Sequence, residues 1–150
     1  MAWQPRHVTL VHSAPVTDLA PRVLYGILRL RSEVFVVEQR CPYLDLDGRD
    51  LEPDARQFWI QDGGAVLATL RLLVDAPGIH RIGRVATSVG ARGNGLAGRL
   101  MQAALDVAGD GPVALNAQTY LARWYESFDF AVDGPEYLDD GIAHVPMRRH

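Results

Sequence analysis

The amino-acid sequence predicts one mixed α/β domain over residues 1–150. Three observations lead to this fold class. A length of 150 residues suits one compact domain with a sizeable core. Strand-like and helix-like hydrophobic patterns follow one another in the order β-α-βββ-α-β-α-ββ. Short turns join the three consecutive strand patterns, which predicts a mostly antiparallel sheet in that region.

The chain begins with a predicted strand and a predicted helix. His7–Ser13 alternates in the manner of a strand, and the apolar residues that follow recur at helical spacing as far as Phe35. Thr17 or Asp18 is suited to cap this helix, so we expect it to begin near Leu19. The next stretch is rich in acidic and turn residues, and it predicts an irregular loop.

Three strands of a meander are expected after the loop. Gln57–Gln61 and Ala65–Val74 flank Asp62–Gly64, a sequence typical of a tight turn, which predicts an antiparallel hairpin. Asp75–Gly78 predicts a second turn, and Ile79–Thr87 then follows as the third strand.

The second half of the chain alternates helices and strands. The expected elements are a helix over Leu96–Ala108, a buried strand over Val113–Gln118, a helix over Thr119–Phe128 with Thr119 as its cap, and strands over Asp129–Gly134 and Ala143–Arg149, joined by a connection that contains Pro135 and Gly141.

Composition argues against several classes of function. A net charge of −3 gives no general attraction to nucleic acid or to an anionic membrane. No apolar run approaches the roughly 20 residues of a membrane-spanning helix, and the N-terminus lacks the apolar segment of a secretory signal. The single cysteine, Cys41, excludes an internal disulfide and predicts a cytoplasmic protein. The histidines lack metal-ligand spacing, so we expect no metal.

Two stretches of opposite charge stand out from this balance. Asp45–Asp54 holds five acids and Arg49, a net of −4, whereas Arg71–Met101 holds five arginines and Asp75, a net of +4. One stretch could bind a cationic ligand and the other an anionic ligand, or both could be solvated faces. The acidic loop could equally be ordered by its own hydrogen bonds.

A glycine-rich turn precedes the second predicted helix. Gly93-x-Gly95-x-x-Gly98 has the letters of a dinucleotide-binding motif. That motif requires an early βαβ unit and an acidic residue about 20 positions later, and this sequence has neither. The same turn contains Arg92-x-x-Gly95-x-Ala97, and unpaired N–H groups at a helix start can bind a pyrophosphate. A merely flexible turn is the alternative.

The turn and its surroundings resemble the GNAT N-acyltransferase family. Arg92-x-x-Gly95-x-Ala97 is similar to that family's acyl-CoA motif, with a strand (Arg81–Thr87) before it and a tyrosine-bearing segment (Ala122–Phe130) after it. Arg31–Asp50 and Tyr137–Arg149 are similar to signature segments of the ElaA-type branch. The chain departs from that branch mainly at Gln57, where a histidine is expected.

The resemblance implies a fold and a cosubstrate. It implies a mixed, mostly antiparallel sheet that splays between the fourth and fifth strands and is flanked by helices. Acetyl-CoA would lie in the gap and donate its acyl group directly to an amine. The residues implied to bind it are Val85, Ala86 and Thr87 at the pantetheine and thioester, Arg92, Gly93, Asn94, Gly95, Leu96 and Ala97 at the pyrophosphate, and Asn116, which either contacts pantetheine or caps the next helix.

Three side chains are candidates for the chemistry. The resemblance assigns Tyr125 to protonating the departing thiolate, and a neutral phenol is a competent acid beside a thiolate. Glu38 or His144 would act as the base that accepts the amine proton, with Glu38 ranked slightly ahead. Cys41 has no evident partner for a nucleophilic role, so we interpret it as a packing residue.

The acceptor and two alternative functions stay open at this level. The acceptor is either a small-molecule amine or an amino group of a protein, and a homodimer is one state that the sequence allows. An acyl-homoserine-lactone synthase has a related fold and is the alternative enzyme. A non-catalytic acyl-CoA-binding or sensing module is the alternative outside enzymes.

Overall fold

A computed structural model describes residues 10–150, which form an eight-stranded sheet flanked by helices. The strands are β1 (His12–Ala14), β2 (Arg56–Asp62), β3 (Ala65–Ala76), β4 (Ile79–Thr87), β5 (Val113–Gln118), β6 (Ala131–Val132), β7 (Tyr137–Asp139) and β8 (Ile142–Arg149). The α-helices are α1 (Pro21–Arg31), α2 (Leu96–Ala108) and α3 (Ala122–Glu126). A π-helix (Ser32–Glu38) continues α1, and short 3₁₀ turns cover Val16–Asp18, Arg49–Leu51, Val89–Ala91 and Thr119–Leu121.

The sheet divides where two parallel strands meet. Its strand order is β1-β2-β3-β4-β5-β8-β6, and β7 also pairs with β8. Every pairing is antiparallel except that of β4 with β5, which is restricted to His80 with Val113 and Arg81 with Ala114. Beyond these residues the two strands separate, so the predicted splay between the fourth and fifth strands is confirmed.

Two predicted helix starts are wrong. Helix α1 begins at Pro21 rather than near Leu19, because the residue before a proline is held in an extended conformation, as Ala20 is at ψ 142°. Thr119 does not cap α3, since it lies in a 3₁₀ turn and its buried hydroxyl lacks a hydrogen-bond partner among the described residues.

The terminal strands also differ from prediction. The strand expected over Asp129–Gly134 is restricted to β6, and β7 was not predicted because its neighbours Pro135 and Gly141 are typical of a loop. Part of the first predicted strand, residues 7–9, lies outside the described residues, and β1 covers His12–Ala14.

Helices cover both faces of the sheet. Helix α2 packs its apolar side, including Leu100 and Met101, on β2, β3 and β4 to form the main core. On the other face, Leu30 and Val34 pack against Ala86 of β4. A Cβ atom at Gly26 would lie 2.8 Å from Val66 of β3, so glycine permits the close approach of α1 to the sheet. This approach brings the π-helix beside β4.

None of the helices in residues 10–150 combines the length and apolar character that crossing a membrane requires.

Candidate functional site

A cavity of about 430 Å³ opens where β4 and β5 separate. Its strand half comes from β4, β5, the start of α2 and the segment that leads into α3. Its loop half comes from the π-helix, the loop after it and the hairpin of β7 and β8. Among the predicted site residues, the strand half contains Val85, Ala86, Thr87, Arg92, Ala97, Asn116 and Tyr125, and the loop half contains Glu38 and His144.

The turn before α2 is built from two left-handed glycines. Gly93 and Gly95 have φ values of 80° and 73°, a region that residues with a Cβ atom rarely adopt. The side-chain amide of Asn94 donates to the carbonyl oxygens of Ala91 at 2.9 Å and Arg92 at 3.2 Å, which fixes the turn between the glycines. The backbone conformation at these two positions therefore favours glycine.

The first turn of α2 points its peptide donors out of the helix. Gly95 is the N-cap, and its carbonyl oxygen accepts the first hydrogen bond of the helix, from the N–H of Arg99 at 3.2 Å. The N–H groups of residues 96–98 accordingly have no partner within the helix. Of the residues here, Ala97 lines the cavity, whereas the side chain of Leu96 is buried in the core and only its backbone can face a ligand.

Strand β4 contains a β-bulge at the wall of the cavity. Thr69 of β3 pairs with Ala86 and Arg71 pairs with Gly83, so two β4 residues, Arg84 and Val85, lie opposite Leu70. Arg84 adopts a left-handed conformation with φ 51°. A bulge re-aims the backbone groups of its strand, and here it does so beside the cavity.

Tyr125 lies at the base of the strand half. It is 7% exposed and packs edge-on against Trp124 and Phe130, at ring-centroid distances of 4.9 and 6.3 Å. Burial, with a smaller contribution from Tyr120, raises the pKa of Tyr125 to about 12. The phenol is therefore held in its neutral, proton-bearing form.

Glu38 and Arg92 join the two halves of the cavity. The Nη2 atom of Arg92 lies 2.6 and 2.7 Å from the two carboxylate oxygens of Glu38, and its Nε donates to the Thr87 carbonyl oxygen at 3.1 Å. The predicted base and a predicted pyrophosphate ligand are thus one ion pair.

His144 lies on β8 in the loop half. Its Nδ1 is 2.7 Å from the carbonyl oxygen of Ile142, and its ring stacks on Tyr137 with centroids 5.7 Å apart. A carbonyl can only accept, so Nδ1 carries a proton in this contact, and in the neutral imidazole Nε2 is then the nitrogen with the lone pair. Asp139 and Asp140 line the cavity from the same hairpin.

Cys41 lies where the loop meets that hairpin. Its Sγ is 3.7 Å from the carbonyl oxygen of Asp140, and the side chain is buried. Burial and the carboxylates of Asp140 and Asp139 raise the pKa of the thiol. A thiol with a raised pKa is a poor nucleophile, in agreement with a packing role.

The acidic stretch pairs with Arg71 and Arg84 of the basic stretch and with Arg31, which belongs to neither stretch, instead of forming a separate charged face. Arg31, which is fully buried, binds Asp45 at 2.9 Å and Asp50 at 2.7 Å, and Arg71 binds Asp47 at 2.6 Å. The hydrogen bond from Arg71 is the main reason that the pKa of Asp47 is lowered. These acids therefore order the loop, and attraction of a cationic ligand by them is not supported.

Gln57 and Asp50 belong to the same network. The Gln57 side-chain amide donates to Asp50 at 2.9 Å, which gives a structural role to the position where the resemblance leads one to expect histidine. Burial opposes the charge on Asp50, but the hydrogen bonds and charges of Arg31 and the charge of Arg71 prevail and lower its pKa.

Several cavity residues were not predicted from sequence. Arg84, Tyr43, Asp139 and Asp140 were missed, because their positions depend on the bulge and on a contact between distant segments. One available signal was the opposite sign of the two charged stretches, which could have predicted that they pair. No local pattern indicates the left-handed conformation of Arg84.

Sequence comparisons relate the chain to one family of acyltransferases. Residues 37–150 match the family described as acetyltransferase (GNAT) domain. A UPF0039 protein of Mycobacterium tuberculosis is 52% identical over an alignment of 136 positions that covers 88% of this chain and 87% of that protein. Protein ElaA of Escherichia coli is 38% identical over an alignment of 153 positions that covers 98% of this chain and 95% of that protein.

Solved structures show the same fold. The crystal structure of Escherichia coli ElaA matches with a TM-score of 0.89 and 36% identity, covering 95% of this chain and all (100%) of that one. An acyl-CoA N-acyltransferase from Pseudomonas aeruginosa matches with a TM-score of 0.87 and 42% identity, covering 93% and 99%. A CoA-dependent acyl-homoserine lactone synthase matches at 0.77 with 19% identity over 93% and 82%, and this likeness shows the fold alone.

Proposed function

Because the chain belongs to the acetyltransferase (GNAT) domain family, we propose that it transfers an acetyl group from acetyl-CoA directly to an amine within a ternary complex. The observation that carries this proposal is the cavity between β4 and β5, which extends from Arg92 and Ala97, the residues on either side of the glycine turn, to ionisable side chains of the loop half. The acceptor is a small amine or an exposed amino group of a protein.

The strand half supports binding of the CoA ester. Between the separated strands, the backbone of Val85, Ala86 and Thr87 has room to hydrogen-bond pantetheine in the manner of a partial extra strand, with Asn116 on the opposite side. The unpaired donors at the start of α2 and the guanidinium of Arg92 suit a pyrophosphate. Gly93, Asn94, Gly95, Leu96 and Ala97 would contribute through their backbone.

In the reaction, a backbone N–H at Val85 or Ala86 would stabilise the negative charge that develops on the thioester oxygen. Tyr125 would then protonate the departing thiolate. A thiol ordinarily has a pKa of about 8.5, so this transfer is unfavourable for a phenol in water. Burial disfavours both anions, however, and the same desolvation that raises the pKa of Tyr125 would raise that of the thiol.

His144 is favoured over Glu38 as the base. Both carboxylate oxygens of Glu38 lie close to Nη2 of Arg92, so accepting a proton would weaken this ion pair. The lone pair on Nε2 of His144 is ready for the amine proton, because Nδ1 is oriented by the Ile142 carbonyl. This order reverses the ranking made from the sequence.

Calorimetry with acetyl-CoA, followed by an amine panel read out by released thiol, tests the proposal. We expect acetyl-CoA to bind and at least one amine to be acetylated. The kinetics should not be ping-pong. A matched control is Gly64→Ala, which lies in the β2–β3 turn, where a Cβ atom would meet nothing within 4 Å. Absence of any binding heat with the wild-type chain would overturn the assignment.

The same assay separates the alternatives. An acyl-homoserine-lactone synthase would release a lactone detectable by mass spectrometry and would use longer acyl chains. A non-catalytic module would bind the CoA ester without turnover on any amine. The predicted cytoplasmic location and homodimer remain predictions, and light scattering of the purified chain measures the latter.

A further inference from the structure

We propose that Arg84 is a positioning residue that ties the acidic loop (Asp45–Asp54) to the oxyanion-binding stretch of β4, an inference that rests on the proposed acyl transfer. Its side chain crosses from the β4 bulge to the loop half and holds the strand in its unusual conformation. The loop would thereby set the direction of the peptide donors at Val85 and Ala86.

The backbone of Arg84 needs an external restraint. Its φ of 51° lies in the left-handed region, which costs free energy for any residue that has a Cβ atom. The bulge also places Arg84 and Val85 opposite Leu70, so the regular ladder with β3 does not fix both residues. Contacts of the side chain must therefore supply part of the restraint.

Those contacts come from the acidic loop. The Nε of Arg84 forms an ion pair with Asp45 at 2.7 Å, and Nη2 donates to the backbone carbonyl oxygen of Asp45 at 3.1 Å and to Asp47 at 3.4 Å. The guanidinium also lies over the ring of Tyr43, 5.6 Å from its centroid.

The two carboxylates that bind Arg84 are themselves held by further contacts. Asp45 is held from its other side by buried Arg31 at 2.9 Å, and Asp47 by Arg71 at 2.6 Å. Tyr43 donates its hydroxyl to Asp45 at 2.8 Å. A side chain bound to groups that are fixed in this way can transmit their position to its own backbone.

The backbone conformation of Arg84 matters because it sets the orientation of the next peptide group. The peptide group between Arg84 and Val85 rotates with ψ of Arg84, and the residues after it line the cavity where the thioester would lie. Donors for an oxyanion must already point at the developing charge, because reorienting them during the reaction costs rate. Arg84 would thus act through the peptide groups of Val85 and Ala86, and not by contact with a reacting atom.

The variant Arg84→Gly removes the side-chain contacts with the acidic loop without adding backbone strain. Glycine adopts positive φ freely, so the fold should be retained although the contacts of the Arg84 side chain are lost. We expect kcat to fall by about tenfold or more, with the Kd for acetyl-CoA within about threefold of the wild-type value, since pantetheine and pyrophosphate contacts persist.

Arg84→Lys keeps one charged contact and should recover part of kcat. Arg81→Ala, which removes the Asp75 ion pair from the same strand, should leave kcat unchanged.

Hydrogen exchange of the Val85 and Ala86 amides gives a readout that needs no turnover. Exchange at these two amides should be faster in Arg84→Gly, but not in Arg81→Ala. Unchanged exchange in Arg84→Gly would overturn the inference, as would wild-type kcat in that variant. If Arg84→Gly does not fold, Arg84→Lys takes its place in both measurements: a smaller loss of kcat and a smaller rise in exchange are then expected, and wild-type values of either would overturn the inference. Failure of the wild-type chain to bind acetyl-CoA would instead contradict the proposed function. The hydrogen-exchange result would then still test the role of Arg84.

Discussion

The two halves of the cavity are constructed differently. The strand half uses mainly backbone: the separated part of β4 and the free donors that begin α2. The loop half uses side chains from distant segments, held by ion pairs such as Arg31 with Asp45 and Arg71 with Asp47. The glycine turn of the strand half is set by its own local residues, whereas the loop half depends on charges that meet only in the folded chain, and Arg84 connects β4 to those charges.

Because of this difference, we expect substitutions in the two halves to have different effects. In the strand half, a change should alter ligand affinity or one chemical step while the fold survives. In the loop half, removal of one buried charge leaves its partner desolvated and unpaired, which destabilises the whole domain. Glu38 and Arg92 link the halves, so that pair is where the two kinds of effect should mix.

Arg31→Met should have the largest effect on stability. It leaves the carboxylates of Asp45 and Asp50 without their buried partner, and we expect a loss of about 3–5 kcal/mol in the free energy of unfolding. Urea denaturation measures it. Arg29→Ala, which removes an exposed ion pair with Glu33, is the control and should cost less than about 0.5 kcal/mol. Equal stabilities of the two variants would contradict a buried-charge role.

The same network predicts acid sensitivity with a definite sign. The pKa values of Asp47 and Asp50 are lowered in the folded state, so their stabilisation is present above the ordinary aspartate pKa of about 3.9 and is lost as the pH falls toward the folded values. Wild-type stability should therefore decline below about pH 4, and Arg31→Met should flatten that decline.

Tyr125→Phe should lower kcat by about 100-fold or more, because the thiolate would lose its proton donor. The Kd for acetyl-CoA should hardly change, since the ring and its packing remain. Since burial raises the pKa of Tyr125 to about 12, the wild-type profile should show no alkaline loss from this group up to pH values near 11. Wild-type turnover in the phenylalanine variant would remove Tyr125 from the chemistry.

His144→Asn should reduce kcat by about tenfold or more and remove the acidic limb of the pH–rate profile, because the proposed base is lost. Glu38→Gln should keep that limb and bind acetyl-CoA at least as tightly, since Arg92 is no longer engaged by a carboxylate. Loss of the limb in Glu38→Gln alone would restore Glu38 as the base.

Gly95→Ala should weaken acetyl-CoA binding by about fivefold, because a Cβ atom at φ 73° strains the N-cap of α2. Isothermal calorimetry gives the change in Kd, with Gly64→Ala as the matched glycine control. Binding at wild-type strength would mean that the glycine turn does not shape the pyrophosphate site.

Cys41→Ala should have the smallest effect on chemistry. The thiol has a raised pKa and no nucleophilic role is proposed for it, so kcat should stay within about twofold of wild type. A loss beyond tenfold, with stability retained, would point to a covalent step and exclude direct transfer.

Much of the fold was predictable because its signals are local. The periodicity of Leu96–Ala108 and the turn at Asp62–Gly64 each depend on a few neighbouring residues, and the structure contains both elements. Prediction failed at β7, where Pro135 and Gly141 suggested a loop although pairing with β8 forms a strand. It also failed at Thr119, whose capping potential is not used.

By itself, the sequence determined the order of the main elements, the glycine turn before α2 and the position of Tyr125 after β5. These follow from hydrophobic periodicity and backbone preferences, which act over a few residues. Only the tertiary structure decided that Arg31 and Arg71 neutralise the acidic loop, that Glu38 meets Arg92, and that Arg84 is held at positive φ. Charge pairing across dozens of residues depends on distances in space, and no local pattern in the sequence specifies those distances.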